Sequence, residues 1–227
     1  MLAASALLVS LLFAGCASAA STRNAEIKTP DAATLKYPVV LVHGIVAHDR
    51  GRIIDFWGRI PGRLEENGVT VYFGNTDAWG DFESNAEILK NTIDTILQET
   101  GCGKVNIIAH SKGGLDSRYC IWKYDYGDKV ASLTTIGTPH HGAELADLLY
   151  GRKMIHSWTV RKSLDIFGKL YGDENPAMYN VNKQLTTDNM REFNRTVLTD
   201  DRVYYQSLYI TMRNSLDDVT FFIAISI

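Results

Sequence analysis

Apolar residues along this chain follow two rhythms, continuous β-branched runs and stripes at helical spacing. Tyr37-Pro38-Val39-Val40-Leu41-Val42-His43-Gly44 is a run closed by glycine, the pattern of a strand buried on both faces. Phe56, Trp57, Ile60 and Leu64 then recur at helical spacing as far as Asn67-Gly68, with Pro61 interrupting the stretch. Residues 69–73 predict a short strand. Ile88, Leu89, Ile93, Ile96 and Leu97 share one face of a helix expected over 85–100 and ended by Gly101. A strand from Lys104, a helix over 113–124 and a strand over 130–136 complete the regular part. Residues 143–198 are more polar, break at Gly151, Gly168, Gly172 and Pro176, and read as helices inserted above the sheet. Strand character returns over 203–210, and the chain ends on the apolar run 219–227. Strands and helices taking turns imply an α/β domain: a mostly parallel sheet with helices on both faces and active groups at the carboxyl ends of strands.

The third of these strands breaks at His110-Ser111-Lys112 and restarts on Gly113-Gly114. A serine on a sharp strand-to-helix turn has its hydroxyl pushed clear of the backbone, beside the positive end of the following helix, where it can attack an ester or amide carbonyl. Such an elbow needs small residues two positions either side, and here they are Ala109 and Gly113. The alternative is that Ser111 only caps a helix. A nucleophile also needs oxyanion donors. In this arrangement they are the N–H that follows it, Lys112, and one from the loop after an earlier strand, here Ile45, with Gly44 allowing the tight turn. His43 precedes the nucleophile and reads as a buried, hydrogen-bonded support for that loop.

Composition narrows the field. With 45% hydrophobic and 22% charged residues, the 227-residue chain has the makeup of one large α/β domain. A net charge of −3 with scattered Lys and Arg leaves no basic stripe for nucleic acid. The six histidines show no metal-ligand spacing, so no metal and no cofactor is assigned. Residues 1–20 carry no charged side chain and hold the apolar run Ala6 to Ala14, too short to span a bilayer; they read as a secretory signal peptide. Ala17-Ser18-Ala19 suits ordinary cleavage, whereas Phe13-Ala14-Gly15-Cys16 resembles a lipobox that would lipidate Cys16. A polar linker over 21–36 leads into the domain over 37–227. Cys102 and Cys120 read as two free or buried thiols.

Five segments together carry a resemblance: Tyr37 to Gly44; Phe56-Trp57-Gly58-Arg59-Ile60-Pro61; Lys104 to Gly114; Ser117-Arg118-Tyr119; and Leu133 to Gly142 followed by Ala146-Asp147. In order and spacing they resemble the secreted bacterial triacylglycerol lipases of the α/β-hydrolase superfamily. That resemblance implies an α/β-hydrolase fold with an inserted lid over 143–198, an ester lipid substrate at an interface, and a Ser, Asp, His triad in that chain order. It places the acid beyond the strand at 203–210 and the histidine later still. Asp217 and Asp218 are acids in that order, but neither precedes glycine and no histidine follows them. His140 and His141 match a family segment that is not catalytic, and His156 lies in the insertion. The expectation is therefore a lipase whose C-terminal strands and helices, acid, base and calcium ligands lie beyond residue 227. Trp158, Val160, Leu164, Ile166, Phe167 and Leu170 are expected either at a lipid interface or in the core of the insertion. An esterase or phospholipase is the neighbouring alternative; a catalytically inactive surface or binding protein is the alternative of another class.

Overall fold

A computed structural model describes residues 35–45, 48–49, 56–151 and 156–209. The leader, Cys16, most of the linker, Asp217, Asp218 and the terminal apolar run lie outside them. Among the described residues the strands are β1 (Val39–Val42), β2 (Val71–Phe73), β3 (Val105–His110), β4 (Val130–Ile136) and β5 (Tyr204–Leu208). The helices are α1 (Ile60–Glu66), α2 (Phe82–Thr100), α3 (Lys112–Tyr124), α4 (Glu144–Tyr150), α5 (Trp158–Tyr171), α6 (Met178–Gln184) and α7 (Thr187–Thr196). The strands form one sheet in the order β2-β1-β3-β4-β5, and every neighbouring pair is parallel.

Strand period two divides the side chains between the faces. Val40 pairs with Ile107 and Val42 with Ala109, and these four residues meet Ala86, Leu89, Ile93 and Ile96 of α2 and Cys120 and Ile121 of α3. Val39 and Leu41 turn the other way, onto Trp57, Val69 and the partly buried Leu64 of α1. Helices thus cover both faces. Toward β5 the α1 face opens to solvent: Asn106 donates to Tyr37 O and accepts from Ser132, while Tyr204, Gln206 and Leu208 stand exposed.

Two helix starts differ from the sequence-based expectation by three or more residues, while α3 begins one residue early, at Lys112. Helix α1 begins at Ile60 rather than Phe56, with Pro61 in its first turn, where a missing N–H costs nothing. Trp57 instead sits before the helix and donates its indole N–H to Asp49 at 2.8 Å. Helix α2 begins at Phe82 rather than Asn85, because the Asp81 carboxylate accepts from Ser84 N at 3.0 Å and caps the turn. Strand β2 begins at Val71 rather than Val69, and β5, at Tyr204–Leu208, leaves out Val203 and Tyr209.

The segment between β4 and β5 is fastened to the sheet through Arg118. Its guanidinium donates to His140 Nδ1 at 3.2 Å, Asn194 Oδ1 at 3.0 Å and Val197 O at 3.2 Å. With Nδ1 accepting, His140 carries its proton on Nε2 and donates to Thr135 Oγ1 at 3.1 Å, and that hydroxyl in turn reaches Gln206 O. The imidazole thus joins α3 to β4 directly, and its partners Arg118 and Thr135 carry the connection on to α7 and β5.

Burial and the neighbouring Arg118 hold the His140 ring near 4, against an ordinary 6.5. The unfolded chain therefore takes up this proton first as pH falls, so the stability His140 contributes is complete above about pH 6.5 and is lost toward pH 4. His110 is shifted in the same direction by burial. Urea midpoints measured from pH 7 to about pH 4.5 are expected to fall, and to fall less steeply in His140→Gln. Identical slopes in the two proteins would rule out this role.

Candidate active site

Ser111 sits at the junction of β3 and α3 with φ 51° and ψ −129°, a backbone conformation that residues with side chains avoid. Such a residue costs on the order of 1–3 kcal/mol and persists only where its neighbours enforce it. Ser111 N donates to Ile136 O at 2.9 Å, and the Thr138 hydroxyl donates to Ser111 O at 2.8 Å. Although Ser111 occupies the N-cap position of α3, its side chain makes no capping hydrogen bond, which removes the reading of a mere cap.

Two glycines let the surrounding segments close on the elbow. A Cβ on Gly113 would lie 2.2 Å from His43 O and 2.7 Å from Val42 O, so α3 abuts the end of β1 as backbone against backbone. A Cβ on Gly44 would lie 2.7 Å from Ser111 Cβ and 3.2 Å from its Oγ. The loop after β1 is thus in direct contact with the serine, and Ile45 follows in that loop. Its side chain packs against two apolar clusters, that of Ala78, Trp79 and Met178 and the one that contains Phe82, Leu115 and Ala146. His43 is 1% exposed, with Nδ1 2.7 Å from Gly44 O and Nε2 2.8 Å from Thr76 O, so either tautomer holds the loop.

Lys112, next to the serine, is buried to its ammonium. Its Nζ donates to Asp116 Oδ1 at 2.7 Å and Oδ2 at 2.9 Å, and lies 5.5 Å from the centre of the Phe82 ring. Burial pushes the Asp116 carboxyl up, while Lys112 and the Asn85 amide pull it down. Asn85 Nδ2 donates to Asp116 at 2.9 Å and to Asp77 O at 3.0 Å, and its Oδ1 accepts from Asp77 N at 2.9 Å. The Asp77 carboxylate accepts from Glu174 N and Asn175 N; reciprocally, Asp173 accepts from Ala78 N and Trp79 N. His48 Nε2 lies 3.5 Å from Asp173 Oδ1. A polar chain therefore runs from the elbow to the loop that follows α5.

Sequence reasoning singled out Ser111, Ile45 and Lys112, and these three share one neighbourhood. It missed Asn85, Asp116, Asp77 and Asp173; only the i, i+4 spacing of Lys112 and Asp116 was available as a signal. His140 is bound to Arg118 and Thr135, and His156 contacts Tyr179, away from the elbow's own hydrogen bonds. Cys102 and Cys120 are free, and burial pushes the Cys120 thiol up to about 12. No cluster of three or more His, Cys, Asp or Glu side chains arranged for a metal occurs among the described residues. A groove of about 470 Å³ crosses Phe82, Tyr119, Trp122 and Phe193; Ser111 does not line it.

The buried pair yields an asymmetric expectation. Asp116→Ala strands the Lys112 ammonium in the interior and is expected to cost about 3–5 kcal/mol in urea unfolding. Replacing both partners, Lys112→Met with Asp116→Leu, is expected to recover most of that loss. A double variant no more stable than Asp116→Ala would mean the pair is not what that loss reports.

The alpha/beta hydrolase fold family matches residues 37–169 of the chain. A triacylglycerol lipase of Burkholderia plantarii is 39% identical over 140 residues, covering 60% of this chain and 38% of that protein. One from Pseudarthrobacter phenanthrenivorans is 40% identical, covering 52% and 37%, and one from Vibrio cholerae is 35% identical, covering 66% and 46%. The chain thus spans less than half the length of each of these relatives. Among solved structures, the mature form of Bacillus licheniformis lipase BlEst2 superposes with a TM-score of 0.65 at 24% identity, covering 88% of this chain and 75% of that one. The parallel sheet, the serine elbow after its middle strand and the matched residues together make this chain a member of the alpha/beta hydrolase fold family.

Proposed function

We propose that the protein containing this chain is a carboxylic ester hydrolase, most directly a triacylglycerol lipase, with Ser111 as its nucleophile. The observation that carries the reading is the strained elbow itself: a positive-φ serine, uncapped, with the Gly44 loop against its side chain. The kinship to lipases of several bacteria supports the substrate class.

In this reading Ser111 Oγ bonds to the ester carbonyl carbon as its proton passes to a base. The carbonyl oxygen becomes an oxyanion facing the Ile45 and Lys112 N–H groups. Collapse expels the alcohol and leaves an acyl-serine, which water then cleaves to the free acid. Lys112 is suited to this as the first residue of α3, where the N–H groups have no partner within the helix. The acid and base are not assigned to residues of this chain. The chemistry needs no cofactor, and no residue of this chain is assigned to calcium. Residues 1–20 direct export, either by signal cleavage or with lipid attached to Cys16. The substrate is an acylglycerol or related ester lipid met at an interface, and residues 143–198 form the lid beside it.

The test uses the complete natural protein. Ser111→Ala is expected to abolish hydrolysis of emulsified tributyrin, by on the order of a thousandfold or more, with the fold intact by circular dichroism. Retained activity would falsify the assignment. Faster turnover of soluble monomeric esters than of emulsions would instead make the protein an esterase.

A further inference from the structure

The two oxyanion donors of the serine reading stand on separate pieces of backbone, since Ile45 follows β1 and Lys112 opens α3. The close approaches at Gly44 and Gly113 limit how near these segments can come, but steric contact alone does not stop them from parting or turning. That freedom matters, because a misplacement of about 1 Å at a catalytic centre can cost on the order of a hundredfold in rate.

A third segment, the loop after β2, bridges the two. On the Ile45 side, Thr76 O lies 2.8 Å from His43 Nε2, and Ala78 and Trp79 belong to a cluster against which Ile45 packs. Between them, Asp77 gives both of its backbone groups to one amide: Asn85 Oδ1 accepts from Asp77 N at 2.9 Å, and Asn85 Nδ2 donates to Asp77 O at 3.0 Å. Asn85 Nδ2 also donates to Asp116 Oδ2 at 2.9 Å, and Asp116 holds the Lys112 ammonium at 2.7 Å. The apolar neighbours repeat the connection. Ile45 packs as well on the cluster of Phe82 and Leu115; Phe82 lies one turn before Asn85 on α2, and Leu115 directly precedes Asp116 on α3.

Only a carboxamide meets all three demands at this place, accepting from an N–H while donating to a carbonyl and to a carboxylate. Leucine would fill the same volume and make none of these bonds, and an aspartate carboxylate could only accept. At 1% exposure, a side chain selected for stability alone would do as well by being apolar, because a buried hydrogen-bonded group gains little net free energy. What the amide adds is direction.

We propose that Asn85 is a positioning residue for ester hydrolysis: by joining the Asp77 backbone to the Asp116 carboxylate, it sets the separation of the Ile45 and Lys112 N–H groups. It touches no substrate and acts through those two donors, so the inference rests on the serine reading above. Donors out of place weaken the hold on the charged transition state more than on the neutral ester, so turnover suffers and substrate binding does not.

The test uses the complete natural protein and its Asn85→Leu and Asn85→Asp variants. Ser111 is titrated to completion with a fluorophosphonate, so that turnover is counted per competent serine and unfolded molecules drop out. Per titrated site, kcat for soluble p-nitrophenyl butyrate is expected to fall on the order of ten- to a hundredfold in both variants, with KM changed by about twofold or less. Inhibition by butylboronic acid, whose boron takes up the serine oxygen to form a tetrahedral anion, is expected to weaken in step with kcat. Leu64→Ala, in the cluster on the opposite face of the sheet, supplies a loss of packing away from the site: its urea midpoint drops and its kcat per titrated site holds. An unchanged kcat per titrated site in either Asn85 variant overturns the proposal, and so does an equal loss in Leu64→Ala. Ester hydrolysis that survives Ser111→Ala sinks the nucleophile reading and this inference with it. Hydrolysis that depends on Ser111 but not on Asn85 sinks this inference alone.

Discussion

The backbone at Ser111 holds a dihedral pair that no isolated peptide would keep, and the arrangement of three strand ends is what keeps it there. Ile136 at the end of β4 takes the Ser111 N–H, and Thr138 just beyond takes up its carbonyl. The end of β1 presses from the other side, through Gly44 onto the serine and through the Val42 and His43 carbonyls onto Gly113. Moving β1 or β4 by one residue against β3 would break that strand's contacts with the elbow, since β1, β3 and β4 end side by side in parallel register. The sheet order is therefore the condition for the serine's strained backbone, and the clusters under α2 and α3 hold that order in place.

Behind the elbow, polarity replaces hydrophobicity as the organising force. Lys112, Asp116 and Asn85 are each nearly inaccessible, and each satisfies the next. A charged pair so deep gains little net free energy over an apolar pair of similar shape, so its value lies in geometry. Asn85 is bonded at once to Asp116 on α3 and to both backbone groups of Asp77. The helix bearing the serine and the loop after β2 are thereby fixed to one another by directional bonds rather than by packing alone.

Much of the scaffold was legible because its signal is periodic. Strand β4 runs from Val130 to Ile136 as the apolar pattern predicts, and β3 begins one residue after the expected Lys104. The helix starts were harder. Pro61 read as an interruption when it is a beginning, and Asp81 lay outside the apolar stripe whose helix it caps. At the site, Ser111 announced itself through its small neighbours. Asn85, Asp77 and Asp173 did not, since a buried polar residue looks like a surface one until its partner, up to ninety-eight positions away, is known.

The exchanged carboxylates of Asp77 and Asp173, each bonded to the backbone of the other's loop, have a bearing on how such a molecule can vary. They pin the excursion between β4 and β5 near its middle, while Arg118 pins its far end beside β5. Between pinned points, the closure entropy of a chain segment rises only by about 0.6 kcal/mol for each doubling of its length. The strands that frame the serine therefore feel little of what the helices above them become. Lineages could exchange or extend those helices, and with them the surface the molecule prefers, while inheriting the elbow unchanged.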